Sequence, residues 1–125
     1  MLLLDTHALL WFIYNDDRLS SNAVNAIKET EIVYVSIASL WEIAIKQHLG
    51  KLEFDGSIKD ISDKCMEKDV LILPIKVGYL DRIKTLPDIH KDPFDRLIVA
   101  QAMEEDLIIV SKDENIIKYN INTIW

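Results

Sequence analysis

Four strand-length apolar runs, Leu2–Leu4, Ile32–Val35, Val70–Leu73 and Leu107–Val110, are separated by stretches whose apolar residues recur at helical spacing. Runs without polar alternation need cover on both faces, which is how the strands of a parallel sheet read. Strands alternating with helices therefore predict one α/β domain over residues 1–125, a parallel sheet with helices on each side. The chain is 125 residues long and half hydrophobic, enough for a core of its own.

The punctuation between the runs is equally legible. A helix is expected near Thr6–Tyr14, and a second is capped by Ser20 or Ser21 with Ala23, Val24 and Ile27 on one face. Ser36 caps a helix that Gly50 ends, and Ser57 opens one running to about Asp69. Pro74 stops the third strand, and a shorter helix follows near Val77–Lys84. Asp92 before Pro93 is a capping carboxylate with proline at the first helical position, so a helix begins there and runs to about Glu105. Ile121–Trp125 supplies a fifth strand.

Four acidic residues stand out in this arrangement. Asp5 and Asp113 follow the first and fourth strands, Asp95 lies in the first turn after Pro93, and Glu42 in the second turn after Ser36. In an open parallel sheet, strand C-termini and helix N-termini face the same edge, where ligands bind. All four carboxylates are therefore expected at that edge. A cluster of this kind does not stay fully ionised without a cation, and oxygen-only ligands suit Mg²⁺ or Mn²⁺. Such an ion polarises a phosphoryl oxygen and activates water. Each residue also has a purely structural use: Asp5 and Asp113 as caps, Asp95 as a first-turn dipole partner, Glu42 as a partner for Lys46 one turn on. Asp92 is read as a cap.

Other chemistries find less support. His7, His48 and His90 share no metal-ligand spacing and are read as surface or satisfied side chains. Ser36, Ser39 and Ser111 have no neighbouring histidine for a triad, and no glycine-rich phosphate loop occurs. Trp11, Trp41 and Trp125 are read as core or interface anchors. A single cysteine, Cys65, excludes an internal disulfide and a cysteine zinc site, and favours a reducing cytosol. No run is long enough to span a membrane, and the N-terminus lacks the pattern of a signal peptide. The net charge of −7 argues against a general nucleic-acid binder, but four of those negatives belong to the cluster, where a bound cation would invert the field.

The segments carrying these residues are Leu3-Leu4-Asp5-Thr6-His7-Ala8-Leu9-Leu10-Trp11, Ser36-Ile37-Ala38-Ser39-Leu40-Trp41-Glu42-Ile43, Asp92 through Ala102, and Val110-Ser111-Lys112-Asp113. In this order they resemble the PIN-domain family, and within it the VapC-like toxins of prokaryotic toxin–antitoxin pairs. The resemblance covers the whole chain. It implies a three-layer α/β/α sandwich with strand order 3-2-1-4-5 and a Mg²⁺- or Mn²⁺-dependent endoribonuclease, usually a homodimer, with RNA as substrate and an antitoxin as partner. Carried over, Asp5 and Asp95 correspond to the principal metal ligands, and Glu42 and Asp113 to supporting ligands or water-orienting groups. Thr6 and Ser111 correspond to small hydroxyls that hydrogen-bond the carboxylates.

Three other readings compete. An aspartyl-phosphate phosphatase needs a second Asp two positions after Asp5, where His7 stands. A receiver-like module needs an acceptor Asp after the third strand, where Pro74 stands. A catalytically silent PIN scaffold that binds RNA or protein remains a third. A surplus of large apolar side chains, Trp11, Phe12, Ile13 and Tyr14 and then Leu40, Trp41 and Ile45, independently predicts a homodimer and a groove for an amphipathic antitoxin segment. That segment is expected to carry an arginine to the carboxylates.

Overall fold

The computed structural model describes residues 1–125. Five strands, β1 (Leu2–Leu4), β2 (Val33–Ser36), β3 (Val70–Leu73), β4 (Ile108–Val110) and β5 (Thr123–Ile124), form one sheet in the order β3-β2-β1-β4-β5. Every pairing is parallel, with Leu3 opposite Tyr34 on one side and Ile109 on the other. The expected strand order is the observed one. The chain winds outward from β1 through β2 to β3, then returns to place β4 on the other side of β1. The order thus reverses between β1 and β4, and that is where a crevice opens.

Successive residues of a strand face opposite sides, and β1 divides accordingly. Leu2 and Leu4 join a large apolar cluster with Val33, Val35 and Val110, covered by α1 (Thr6–Ile13), α2 (Ser21–Glu29) and α4 (Ile58–Glu67). Leu3 points the other way, into a second cluster with Ile98, Val99 and Ile109. That cluster is covered by α6 (Pro93–Glu105) and the short α7 (Glu114–Ile117), with α5 (Val77–Thr85) packed on α6. The last helix, α3 (Ile37–His48), packs against both α1 and α6 and so bridges the two layers.

Turns set the polarity. Asp69, Asp106 and Asn120, each between a helix and the following strand, adopt left-handed backbone angles (φ 58°, 53° and 56°). Asn and Asp tolerate that region better than other side-chain-bearing residues, so the chain reverses there with little glycine. Where glycine is used, at Gly50 (φ +65°), it terminates α3 as expected. Element limits differ from expectation by at most two residues, at the end of α4 and at the start of β5, which begins at Thr123 because Ile121 packs instead into the second cluster.

The expected apolar surplus is smaller than the sequence suggests. Trp11, Ile13 and Leu40 are buried in the monomer, and Phe12 and Tyr14 pack against the same core. Phe54 stacks on Tyr14 at 4.8 Å, and Trp125 meets Trp11 edge-on at 5.8 Å, so the loop after α3 and the C-terminus cover α1. Of the seven residues, only Trp41 and Ile45 are exposed, along with Ile37, Leu49, Val77 and Leu80 on α3, its C-terminal end and α5.

Candidate active site

Each acidic residue is delivered by an element whose start or end it makes. Asp5 follows β1, its backbone N–H bonded to Val110 O across the sheet, and its Oδ1 accepts the N–H of Ala8 at 2.8 Å as the cap of α1. Asp113 follows β4 and caps α7 through the N–H of Asn115 at 2.8 Å. Asp92 caps α6 through the N–H groups of Phe94 and Asp95, which aims Asp95 outward from the first turn. Glu42 projects from the second turn of α3. The structural uses foreseen for these residues are therefore real, and they are compatible with convergence. Asp5, Glu42, Asp92, Asp95 and Asp113 all line one cleft of about 80 Å³ at the C-terminal edge of β1 and β4, together with Thr6, His7 and Lys46.

Burial makes this cleft electrostatically tense. Asp5 is 8 % exposed, and removal from water raises its pKa above the ordinary 3.8, opposed by hydrogen bonds from Ser111 and Ala8. Asp95 is pushed up to about 7, first by burial, then by the negative charge of Asp92, with Asp113 and Glu42 adding to it; a hydrogen bond from His90 works the other way. Desolvation and like charges act in the same direction on an acid.

Glu42 is buried but fully partnered. Thr6 Oγ1 donates to its Oε1 at 2.6 Å, and Lys46 Nζ lies 2.7 Å from its Oε2. Thr6 has one hydroxyl proton and spends it on the carboxylate, so in its 3.0 Å contact with Ser39 Oγ the serine is the donor. Ser111 Oγ accepts the N–H of Asp113 at 3.0 Å and bonds Asp5, linking the two strand-end carboxylates.

The sequence did not single out His90. Its Nε2 lies 3.2 Å from Asp95 Oδ2 and its Nδ1 2.7 Å from the Tyr119 hydroxyl, while Arg96 Nη1 donates to that same hydroxyl at 3.0 Å. A guanidinium only donates. Tyr119 therefore accepts from Arg96, and in the neutral tautomer whose Nε2–H is directed at Asp95 it also gives its own proton to Nδ1. His90 is a satisfied histidine, as expected, but satisfied by the site. Its position five residues before Asp95 is not a helical spacing, and Tyr119 reaches it only through the fold. Asp92, read as a cap, also lines the cleft and charges it.

The donor set is all hard oxygen, the kind that Mg²⁺ or Mn²⁺ takes. As the side chains stand, no three acidic or imidazole groups are gathered closely enough to hold an ion, each carboxylate being turned toward a protein partner. Mg²⁺ needs only one or two carboxylates beside its waters, and Asp5 and Asp95 bring two to the same cleft, so the residue types fit the ion. Cys65 offers no competing nucleophile: it is buried, and burial pushes its thiol up to about 11. No helix is long and apolar enough to cross a membrane.

Comparison with known proteins agrees with this architecture. The family described as PIN domain matches residues 2–122. No curated protein sequence matches the chain. Among solved structures, a chain of VapBC2 from Rickettsia felis, crystallised bound to a DNA fragment from its promoter, superposes with a TM-score of 0.69 at 12 % identity, over 98 % of this chain and 96 % of that one. A chain of a toxin–antitoxin complex from Klebsiella pneumoniae gives 0.67 at 15 % identity, over 100 % and 97 %. One of FitAcB from Neisseria gonorrhoeae gives 0.63 at 17 %, over 100 % and 97 %.

Proposed function

The chain belongs to the PIN-domain family, and from that premise we propose that it is a metal-dependent endoribonuclease acting as the toxin of a toxin–antitoxin pair. The observation that carries the reading is the convergence of five carboxylates from four segments of the chain into one cleft, with Asp95 pushed up to about 7 by burial and then by the charge of Asp92. Negative charge so concentrated calls for a cation. Asp5 and Asp95 are the ligands proposed for it, with Glu42 and Asp113 as supporting ligands or water-orienting groups.

Bound Mg²⁺ or Mn²⁺ would supply a Lewis acid for the phosphoryl oxygen and a water of lowered pKa. The chain's own residues do the positioning. Thr6 and Lys46 hold both oxygens of Glu42, so this carboxylate is fixed before substrate arrives. The Arg96–Tyr119–His90 relay fixes Asp95 in the same way. Ser111 ties Asp5 to Asp113. Charge held in place before the reaction begins supplies much of the rate enhancement of many enzymes.

Partners follow from the same reading. The antitoxin would bring an amphipathic segment whose arginine meets the carboxylates, bound by charge-assisted hydrogen bonds. A homodimer is supported by the exposed Ile37, Trp41, Ile45, Val77 and Leu80 of α3 and α5.

The test is cleavage of an unstructured RNA by purified protein with Mn²⁺, with Mg²⁺ and with EDTA. Cleavage is expected only with metal, and Asp5→Asn or Asp95→Asn should slow it by roughly 100-fold with the fold retained. Full cleavage in EDTA refutes the mechanism. Binding without cleavage by wild type means a silent scaffold.

A further inference from the structure

The acidic cleft does not end at Asp5, His7 and Asp113. These three residues also form one wall of an adjoining cavity of about 200 Å³, closed by Trp11, Lys112 and Trp125. Its rings are set against one another: Trp11 and Trp125 meet edge-to-face at 5.8 Å, and His7 lies over Trp11 at 5.4 Å. Lys112 Nζ stands 4.8 Å from the Trp11 centroid and 5.8 Å from that of Trp125, and it forms no salt bridge. Trp11 is only 6 % exposed, yet its indole N–H has no partner. A buried donor in that condition is uncommon.

We propose that this cavity is a subsite for one unpaired nucleotide of the RNA, next to the phosphodiester held at the carboxylates. The proposal rests on the nuclease reading for its substrate class and adds the place where a base is held. The half-buried Trp125 ring beside the exposed ammonium of Lys112 matches the two halves of a nucleotide, since bases stack on aromatic rings whatever their identity and a lysine meets the phosphate. Trp11, buried under Arg18 and Lys112, forms the floor. The cavity is below the size of a drug-like pocket and is on the scale of a single ring system. In a chain of net charge −7, an unpaired lysine at the rim of an acidic cleft gives a polyanion a point of entry. The basic antitoxin segment that would neutralise the carboxylates meets Lys112 as a like charge, so the cavity favours the nucleotide. A base in a duplex cannot enter such a cavity; an unpaired one can.

The experiment measures fluorescence anisotropy of a labelled, unstructured RNA decamer in Ca²⁺, with gel electrophoresis verifying that the RNA stays intact. Trp125→Ala is expected to weaken binding about 10-fold, on the scale of one lost stacking contact, and Trp125→Phe to restore it within about twofold. Lys112→Gln, a change at an exposed side chain that the core does not use, should weaken binding and lower the slope of log affinity against log salt by about 0.7. On wild-type protein, scanning an abasic site along the RNA should find one position whose loss matches Trp125→Ala and cancels its effect, while the Lys112→Gln effect persists. The wild-type scan by itself, in which one abasic position stands out from the rest, needs no variant to fold.

No RNA binding, or equal loss by Trp125→Ala on intact and abasic RNA at every position, overturns the subsite and leaves the indoles as packing for the C-terminus. Cleavage in Mn²⁺ is read separately. Cleavage with no dependence on Trp125 or on any base overturns the subsite alone. Base-dependent affinity without cleavage overturns the nuclease reading and leaves the subsite standing.

Discussion

Asp95→Asn should stabilise the metal-free protein, and by an amount that depends on pH in a defined way. The carboxyl titrates near 7 in the fold against 3.8 for the ordinary side chain. The folded state therefore holds a proton that the unfolded chain releases, and stability falls as pH rises from 3.8 to 7, then levels off. Keeping Asp95 ionised in the fold costs about 4 kcal/mol above pH 7, at about 1.4 kcal/mol per tenfold change in acidity. The side chain is 16 % exposed, so screening is modest, and about 2 kcal/mol is a reasonable floor. Asparagine removes the charge but keeps a carbonyl oxygen to accept from His90 Nε2. Thermal melts in EDTA at pH 8 should then show Asp95→Asn melting roughly 6–15 °C above wild type. At pH 5 the gap should shrink by more than half, because wild type already carries the proton. Adding Mn²⁺ at pH 8 should raise wild type by mass action and the variant much less. A variant that melts at or below wild type at pH 8 refutes the reasoning, because the carboxylates would then not be straining the fold.

Thr6→Val keeps the shape of the side chain but leaves Glu42 Oε1 buried without its 2.6 Å donor; a loss of about 1–3 kcal/mol is expected in urea unfolding, and an unchanged midpoint would mean that solvent reaches Glu42. Tyr119→Phe removes the donor that holds His90 Nδ1 unprotonated, so ¹⁵N-resolved NMR of the imidazole should change from Nε2–H alone to a mixture of tautomers; no change would show that Asp95 alone sets the ring. Light scattering at micromolar concentration should give about twice 14.4 kDa, and Trp41→Glu, at a side chain 58 % exposed, should return a monomer. A wild-type mass near 14.4 kDa ends the argument for an interface on α3 and α5.

Local chemistry was sufficient for a large part of this protein. Unalternated runs such as Leu2–Leu4 and Val70–Leu73 announce doubly covered strands. Ser20, Ser36, Ser57 and Asp92 each cap the helix they precede. Because strand ends and helix starts share one edge of a parallel sheet, the convergence of Asp5, Glu42, Asp95 and Asp113 could be read from position alone. Helix faces were harder. Trp11 and Trp41 look alike in sequence, each in an amphipathic helix, yet one is buried and the other exposed. What decides is which surface Phe54, Trp125 and α4 come back to cover, and no periodicity records that. The partners of the carboxylates are of the same kind. His90, Tyr119 and Arg96 lie in a loop, beyond a short helix and in α6, and they become one relay only when α6 and α7 pack on the same side of the sheet. Sequence alone determines what each residue contributes locally, such as a cap, a turn or a charge. The packing of distant segments decides which charges share a cleft and are kept from water, and the pKa near 7 at Asp95 arises only there.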